Sequence, residues 1–178
     1  MKNGKTNAVV PTAGQDHIQG LVDAPFQLVE YGDFQCPFCG EAYEVVKQIQ
    51  ESLGGKLCFA FRNFPLSDMH PYAEHAAEAA EAADAQGRFW DMHDTLFENQ
   101  NALEDEDLAE YAEELGLDAK RLIHDIRTGA HSARIQKDYR SGEENGVNGT
   151  PTFFVNGTLF EGEPTAEELI AALTERTE

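Results

Sequence analysis

Phe26-Gln27-Leu28-Val29-Glu30-Tyr31 runs through Gly32-Asp33-Phe34-Gln35 into Cys36-Pro37-Phe38-Cys39, and the reading of that junction decides the fold. The first six residues are rich in β formers. After Pro37 the apolar positions Ala42, Val45, Val46, Ile49 and Leu53 recur at helical spacing. The stretch therefore predicts strand, turn, helix. Gly54-Gly55 ends the helix, and Leu57-Cys58-Phe59-Ala60-Phe61 is apolar at every position, as a strand covered on both faces must be.

Working outward, residues 67–145 change to a helical period, with breaks expected at Gly87, near Asn99 to Asn101, at Gly116 and around Gly129. Strand character returns in Thr152-Phe153-Phe154-Val155. Asn156-Gly157 then separates it from Thr158-Leu159-Phe160, a strong hairpin signal. Thr165 with Glu168 predicts a capping box opening a last helix lined by Leu169, Ile170 and Leu173. Residues 1–15 carry no periodicity and are expected to be a flexible arm, with the fold starting near Asp16. The expected domain comprises 16–66 and 146–178, in the order β-α-β then β-β-α, with an all-helical insertion at 67–145.

Three cysteines are too few for a disulfide scaffold, so they are read for chemistry. With the helix starting at Pro37, Cys36 is its cap, expected to be exposed. Its thiolate would be favoured by the free N–H groups and the positive end of the helix dipole. Pro37 suits the first turn, having no N–H to lose. Cys39 lies one turn inside, shielded, and can resolve a mixed disulfide formed at Cys36. Half of a zinc knuckle is the competing reading, but no second Cys-X-X-Cys or His-X-X-X-His completes it. Glu30, six residues before Cys36, is either a buried carboxyl able to take the Cys39 proton or an exposed strand residue. Thr150-Pro151 precedes the third core strand. A cis bond there would leave the Thr150 backbone to pair with an extended client, while a trans proline in a surface loop is the plainer alternative.

The runs Glu30 to Cys39, Phe61-Arg62-Asn63-Phe64-Pro65-Leu66, and Gly149 to Gly157 together resemble the DsbA-like family of thioredoxin-fold proteins. The resemblance spans about residues 16–173. It implies an α/β thioredoxin fold carrying the helical insertion, and a disulfide-exchange centre at Cys36 and Cys39. It also implies a cis Pro151 facing that centre, an acid at Glu30 beneath it, and unfolded or partly folded protein clients in the groove. Pro37, Phe38, Thr150 and Pro151 are the expected client contacts, with Phe38 preferred over Phe34. No cofactor or metal is expected, and the redox partner stays open. Oxidation of clients is the favoured direction, with reduction open.

The 33 acidic and 13 basic residues give a formal charge of −20, which repels nucleic acid and anionic membrane surfaces. Such a coat suits a salt-rich cytoplasm, where screening shortens the self-repulsion. Residues 1–20 hold no apolar core of the signal-peptide kind and no run is long enough to span a membrane. The expected location is cytoplasmic, or extracytoplasmic had a leader or anchor been removed, and the expected state is a monomer. The six histidines show no repeated ligand spacing and are expected in surface or capping roles. Phe89, Trp90, Met92, Leu96 and Phe97 are expected on the inner face of the helical block, with a peptide groove built partly from them as a further option. Cys58 is expected to be a buried small hydrophobe. Two other functions compete: a glutathione-dependent transferase or isomerase, against which the second cysteine argues, and a client-binding chaperone in which the cysteine pair is incidental.

Overall fold

The computed structural model describes residues 8–175. The predicted strand and helix meet as expected: β2 covers Phe26–Gly32 and α1 covers Pro37–Leu53. A single 3-10 turn, Gly54–Lys56, leads into β3, Leu57–Asn63, which pairs with β2 in parallel. A short strand that the sequence did not announce, β1 (His17–Gln19), lies antiparallel on the far side of β3. Its three residues are too few for a legible alternation, and pairing alone defines it. The hairpin forms as read, with β4 (Thr152–Val155) and β5 (Thr158–Leu159) on either side of Asn156, which takes the left-handed φ of 49°. Sheet order is β1-β3-β2-β4-β5, so the strand feeding the cysteines is central.

Between the halves lie α2 (Ala73–Ala85), α3 (Phe89–Glu98), α4 (Asp105–Glu114), α5 (Ala119–Thr128) and α6 (Ser132–Glu144). Helix α7, Ala166–Thr174, closes the chain. Strand alternation sends Leu28 to one face of the sheet and Val29 and Tyr31 to the other. The first face shares one core with side chains of α1, α7 and α2 to α5, in which α4 and α5 pack on α2. The second buries Val9, Val29, Tyr31, Ala60, Phe64, Val147 and Phe154, with Tyr139 of α6 stacked on Phe64. The helical insertion therefore covers both faces of the sheet, because α6 crosses to the opposite side from α2. Helix α2 is enclosed almost all round, its buried positions being seven alanines, Glu78 and Glu81; small side chains let neighbouring backbones approach closely.

Two expectations require correction here. The flexible arm was assigned to residues 1–15; residues 1–7 lie outside the described residues, but residues 8–15 are docked. Val9 is buried and donates its N–H to Gly157 O. Arg62 holds both carboxylate oxygens of Asp16 at 2.9 Å and also donates to Val10 O. An extended segment without periodicity can still pair at an edge, and no local pattern reports that. The capping box at α7 is half formed. Thr165 Oγ1 accepts from Glu168 N, but the Glu168 carboxylate turns back to Glu163 N instead of Thr165 N.

Candidate active site

Cys36 caps α1 with extended backbone (φ −69°, ψ 122°), and Pro37 occupies the first turn. The turn before it is held by Asp33. Its Oδ1 accepts from Gln35 N, and its Oδ2 takes Leu66 N and lies 2.8 Å from His70 Nδ1. Its own N–H points at Cys39 Sγ, 3.5 Å away. From the loop after α3, Gln100 Nε2 donates to the carbonyls of Phe34 and Cys36 at 2.9 and 2.8 Å. Asp33 and Gln100 were not singled out from the sequence. An aspartate just ahead of a turn is a readable signal for the first, but Gln100 arrives from 64 residues away and has none.

Cys36 and Cys39 are free thiols. Cys36 was expected to be exposed; it is only 4 % exposed, because its Sγ faces Thr150 O at 3.7 Å. The Cys36 thiol is nonetheless held low, at about 5. The largest cause is a hydrogen bond from the Cys39 thiol, which outweighs the opposing burial; Thr150 and the backbone amides of Cys39 and Phe38 add to the lowering. The free amides at the helix start contribute, but less than the neighbouring sulfur does. Burial pushes the Cys39 thiol well up, helped by its hydrogen bond to Cys36 and by the charge of Glu30. One acidic and one protonated thiol result, which is the division of labour an attacking and a resolving cysteine need.

Glu30 is buried, on the same strand face as Leu28. Burial first, and the Cys36 thiolate second, push its carboxyl up to about 8. Thr150-Pro151 is a cis peptide, and Thr150 Oγ1 is buried. Phe38 is 66 % exposed, whereas Phe34 is buried against Phe61 and Phe97 and cannot meet a client. A groove of about 740 Å³ opens beside the cysteines, with Phe38, Ala42, Val45, Pro151 and Pro164 among its walls and Glu41 and Glu163 at hand. The structure thus gathers Glu30, Cys36, Pro37, Phe38, Cys39, Thr150 and Pro151 around one centre. Phe89, Met92, Leu96 and Phe97 lie on the inner face of the helical block as expected, buried in the core, and the further option of a groove built from them does not form.

These features point to one family. A thioredoxin family model matches residues 12–175. The chain belongs to the thioredoxin family. Within that family its fold is DsbA-like. It superimposes on oxidised BdbD from Bacillus subtilis with a TM-score of 0.81 at 23 % identity, covering 94 % of this chain and 98 % of that one. A thioredoxin-like oxidoreductase from Silicibacter pomeroyi gives 0.79 at 26 % identity, over 89 % and 90 % of the two chains. In sequence the chain is 42 % identical over 175 residues to a protein named Na(+)/H(+) antiporter NhaA 1 from Salinispora arenicola, covering 98 % of this chain but 27 % of that protein. It spans only about a quarter of the length of such relatives, and among the described residues no helix is long and apolar enough to cross a membrane.

The thioredoxin-family site has a polar surround that the histidine reading did not anticipate. His17 and His93 are buried, not superficial. His17 stacks on Phe89 and bonds Glu81 through Nε2 at 2.8 Å, with Asp84 3.5 Å from Nδ1. Their ligand atoms lie within 4.8 Å of one another, but the two ring nitrogens face different carboxylates and Glu81 Oε1 also accepts from Asn63. The group joins β1 to α2 through hydrogen bonds.

Proposed function

We propose that this chain is a protein thiol-disulfide oxidoreductase that exchanges disulfides with extended protein segments, working mainly as an oxidase of client thiols. The observation that carries the reading is the opposed acidity of two cysteines one turn apart, set above a buried acid and beside a groove. In the oxidising direction a client thiolate attacks Cys36 Sγ of the Cys36–Cys39 disulfide. The S–S bond breaks, and Cys39 leaves with the electron pair and takes a proton from Glu30. A second client thiolate then attacks the client sulfur of the mixed disulfide, forming the client disulfide and releasing Cys36 as thiolate. Two electrons pass from client to enzyme.

The low Cys36 pKa favours this direction, because a stabilised thiolate is a better leaving group and stabilises the reduced enzyme. At pH 7 a thiol at about 5 instead of 9 gains roughly 3 kcal/mol, equivalent to about 60 mV for a two-electron couple. Phe38, Thr150 and Pro151 border the groove, a position suited to seating the residues flanking a client cysteine. Antiport, the activity in the names of the sequence relatives, is not part of this proposal.

The test is equilibration of the protein with glutathione buffers, with alkylation trapping and mass analysis, alongside oxidative refolding of a reduced client. The expected results are a Cys36–Cys39 disulfide more oxidising than that of glutathione, an alkylation midpoint for Cys36 near 5, and loss of refolding activity in Cys36→Ser. Full refolding activity in Cys36→Ser would establish a chaperone module instead. A Cys36 no more acidic than free cysteine would remove the redox reading.

A further inference from the structure

Below the cysteines, two buried polar atoms have no hydrogen-bond partner in the protein: Glu30 Oε1 and His93 Nε2. Each such atom costs about 1–3 kcal/mol if left unpaired, so a pair of them calls for a compensating interaction. Both residues line one cavity of about 50 Å³ between the sheet, α1 and α3. A water molecule requires roughly 10–15 Å³ and two to four polar partners. The cavity supplies room for a short file of waters, and its remaining walls include Gln19, Lys47, Gln50 and Asp94. Lys47 and Asp94 have half-exposed side chains, so this side of the cavity leads toward solvent.

The two atoms are chemically complementary. His93 Nδ1 lies 2.9 Å from Asp94 Oδ1. A carboxylate only accepts, so Nδ1 carries the hydrogen and Nε2 turns a bare lone pair toward the cavity. Burial lowers the His93 pKa and keeps the ring neutral. Glu30, held at about 8, carries a proton near neutrality. A donor and an acceptor therefore line the same cavity.

We infer that this cavity is a hydrated proton route, in which water joins Glu30 to His93 and His93 carries the proton exchanged between Glu30 and Cys39 to and from solvent beside Lys47 and Asp94. The inference rests on the disulfide-exchange reading and adds to it a residue that acts through Glu30 without touching a reacting sulfur. When Cys39 attacks a mixed disulfide at Cys36, the Glu30 carboxyl first passes its proton through water to Nε2 and the imidazolium releases its Nδ1 proton at Asp94; the carboxylate so formed takes the Cys39 S–H proton. The electron pair left on Cys39 forms the new S–S bond, and the client sulfur departs with its own pair. The oxidising direction runs the same protons inward. The charged and titratable groups facing His93 are Asp94 on its own helix, Tyr43 and Lys47 on α1, His17 on β1 and Glu30 on β2. Asp94 favours the imidazolium, whereas burial, His17 and Lys47 oppose it, so the charged ring passes its proton on quickly.

The experiment compares wild type with His93→Phe and His93→Gln. Phenylalanine suits the surrounding rings of Phe34, Phe61, Phe89, Trp90 and Phe97 but removes the acceptor. Glutamine keeps an acceptor but cannot relay by protonation. One readout is the infrared C=O stretch of protonated Glu30, identified by its loss in Glu30→Gln. The other is the pH profile for resolution by Cys39 of a mixed disulfide preformed at Cys36. The expected results are a Glu30 band at higher wavenumber in His93→Phe, restored in His93→Gln, with resolution below pH 8 slowed about tenfold in both variants. The alkylation midpoint of Cys36 stays where it was. Resolution within twofold of wild type in either folded variant overturns the relay, as does an unshifted Glu30 band in His93→Phe. Should His93→Phe fail to fold, the rate in His93→Gln decides alone. Failure of wild type to form the Cys36–Cys39 disulfide at all would instead overturn the function proposed above, and the infrared comparison would still report on the cavity.

Discussion

Glu30 shows most plainly how one residue's burial sets a property of the whole. As an isolated letter in the strand it reads equally well as an exposed carboxylate. The alternation that sends Val29 and Tyr31 to one face leaves it under the cysteines on the other. The consequence for stability follows from linkage. A carboxyl raised from 4.5 to about 8 by folding favours the folded state below pH 4.5, and that contribution is lost as pH rises through 8. Cys36, lowered from 9 to about 5, works in the opposite sense: its contribution is present above pH 9 and is lost as pH falls through 5. Replacing Cys36 by Ser removes the compensating group. Urea unfolding of Cys36→Ser should therefore show stability falling by a few kcal/mol between pH 4.5 and 8. Adding Glu30→Gln should flatten that slope, and a slope unchanged by it would mean that the carboxyl is not buried as described.

Among the elements, α6 carries the contact least visible in the sequence. Its Gly142 lies against the sheet, where an added Cβ would stand 2.8 Å from Phe64 Cε2 and 3.1 Å from Tyr31 Cδ1. On an open helix Gly→Ala is worth about 1 kcal/mol in favour of the helix. Here overpacking against two fixed aromatic rings, typically 1–3 kcal/mol, opposes it. Gly142→Ala should destabilise the protein by about 1 kcal/mol, lowering the thermal midpoint by some 2–4 °C. A rise in midpoint would show that α6 stands off the sheet. The helix limits themselves were legible: glycines close three of the four breaks, and the Ala-rich composition of α2 marks a helix even without saying that it is enclosed. Strand β1 was not legible, since three residues with mixed burial become a strand only through β3.

For the whole molecule the dominant quantity is charge. With 33 acids against 13 bases, and with Arg62 and Arg134 already committed to the partly buried pairs with Asp16 and Asp138, most carboxylates repel one another across the surface. Raising the ionic strength from 0.1 M to 1 M shortens the screening length from about 10 to 3 Å. Molar KCl should therefore raise the thermal midpoint, and an unchanged midpoint between low and molar KCl would remove the suggestion of a salt-rich home.

By itself the amino-acid sequence determined the order of strands and helices from β2 onward, the cysteine pair at a helix start and the acidic coat, because periodicity, turn chemistry and composition are local or additive quantities. Only the tertiary structure decided that Cys36 is covered, that Gln100 ties down its turn and that Glu30 and His93 share a cavity. Those facts depend on which residues distant in the chain meet, and on the dielectric that their meeting creates.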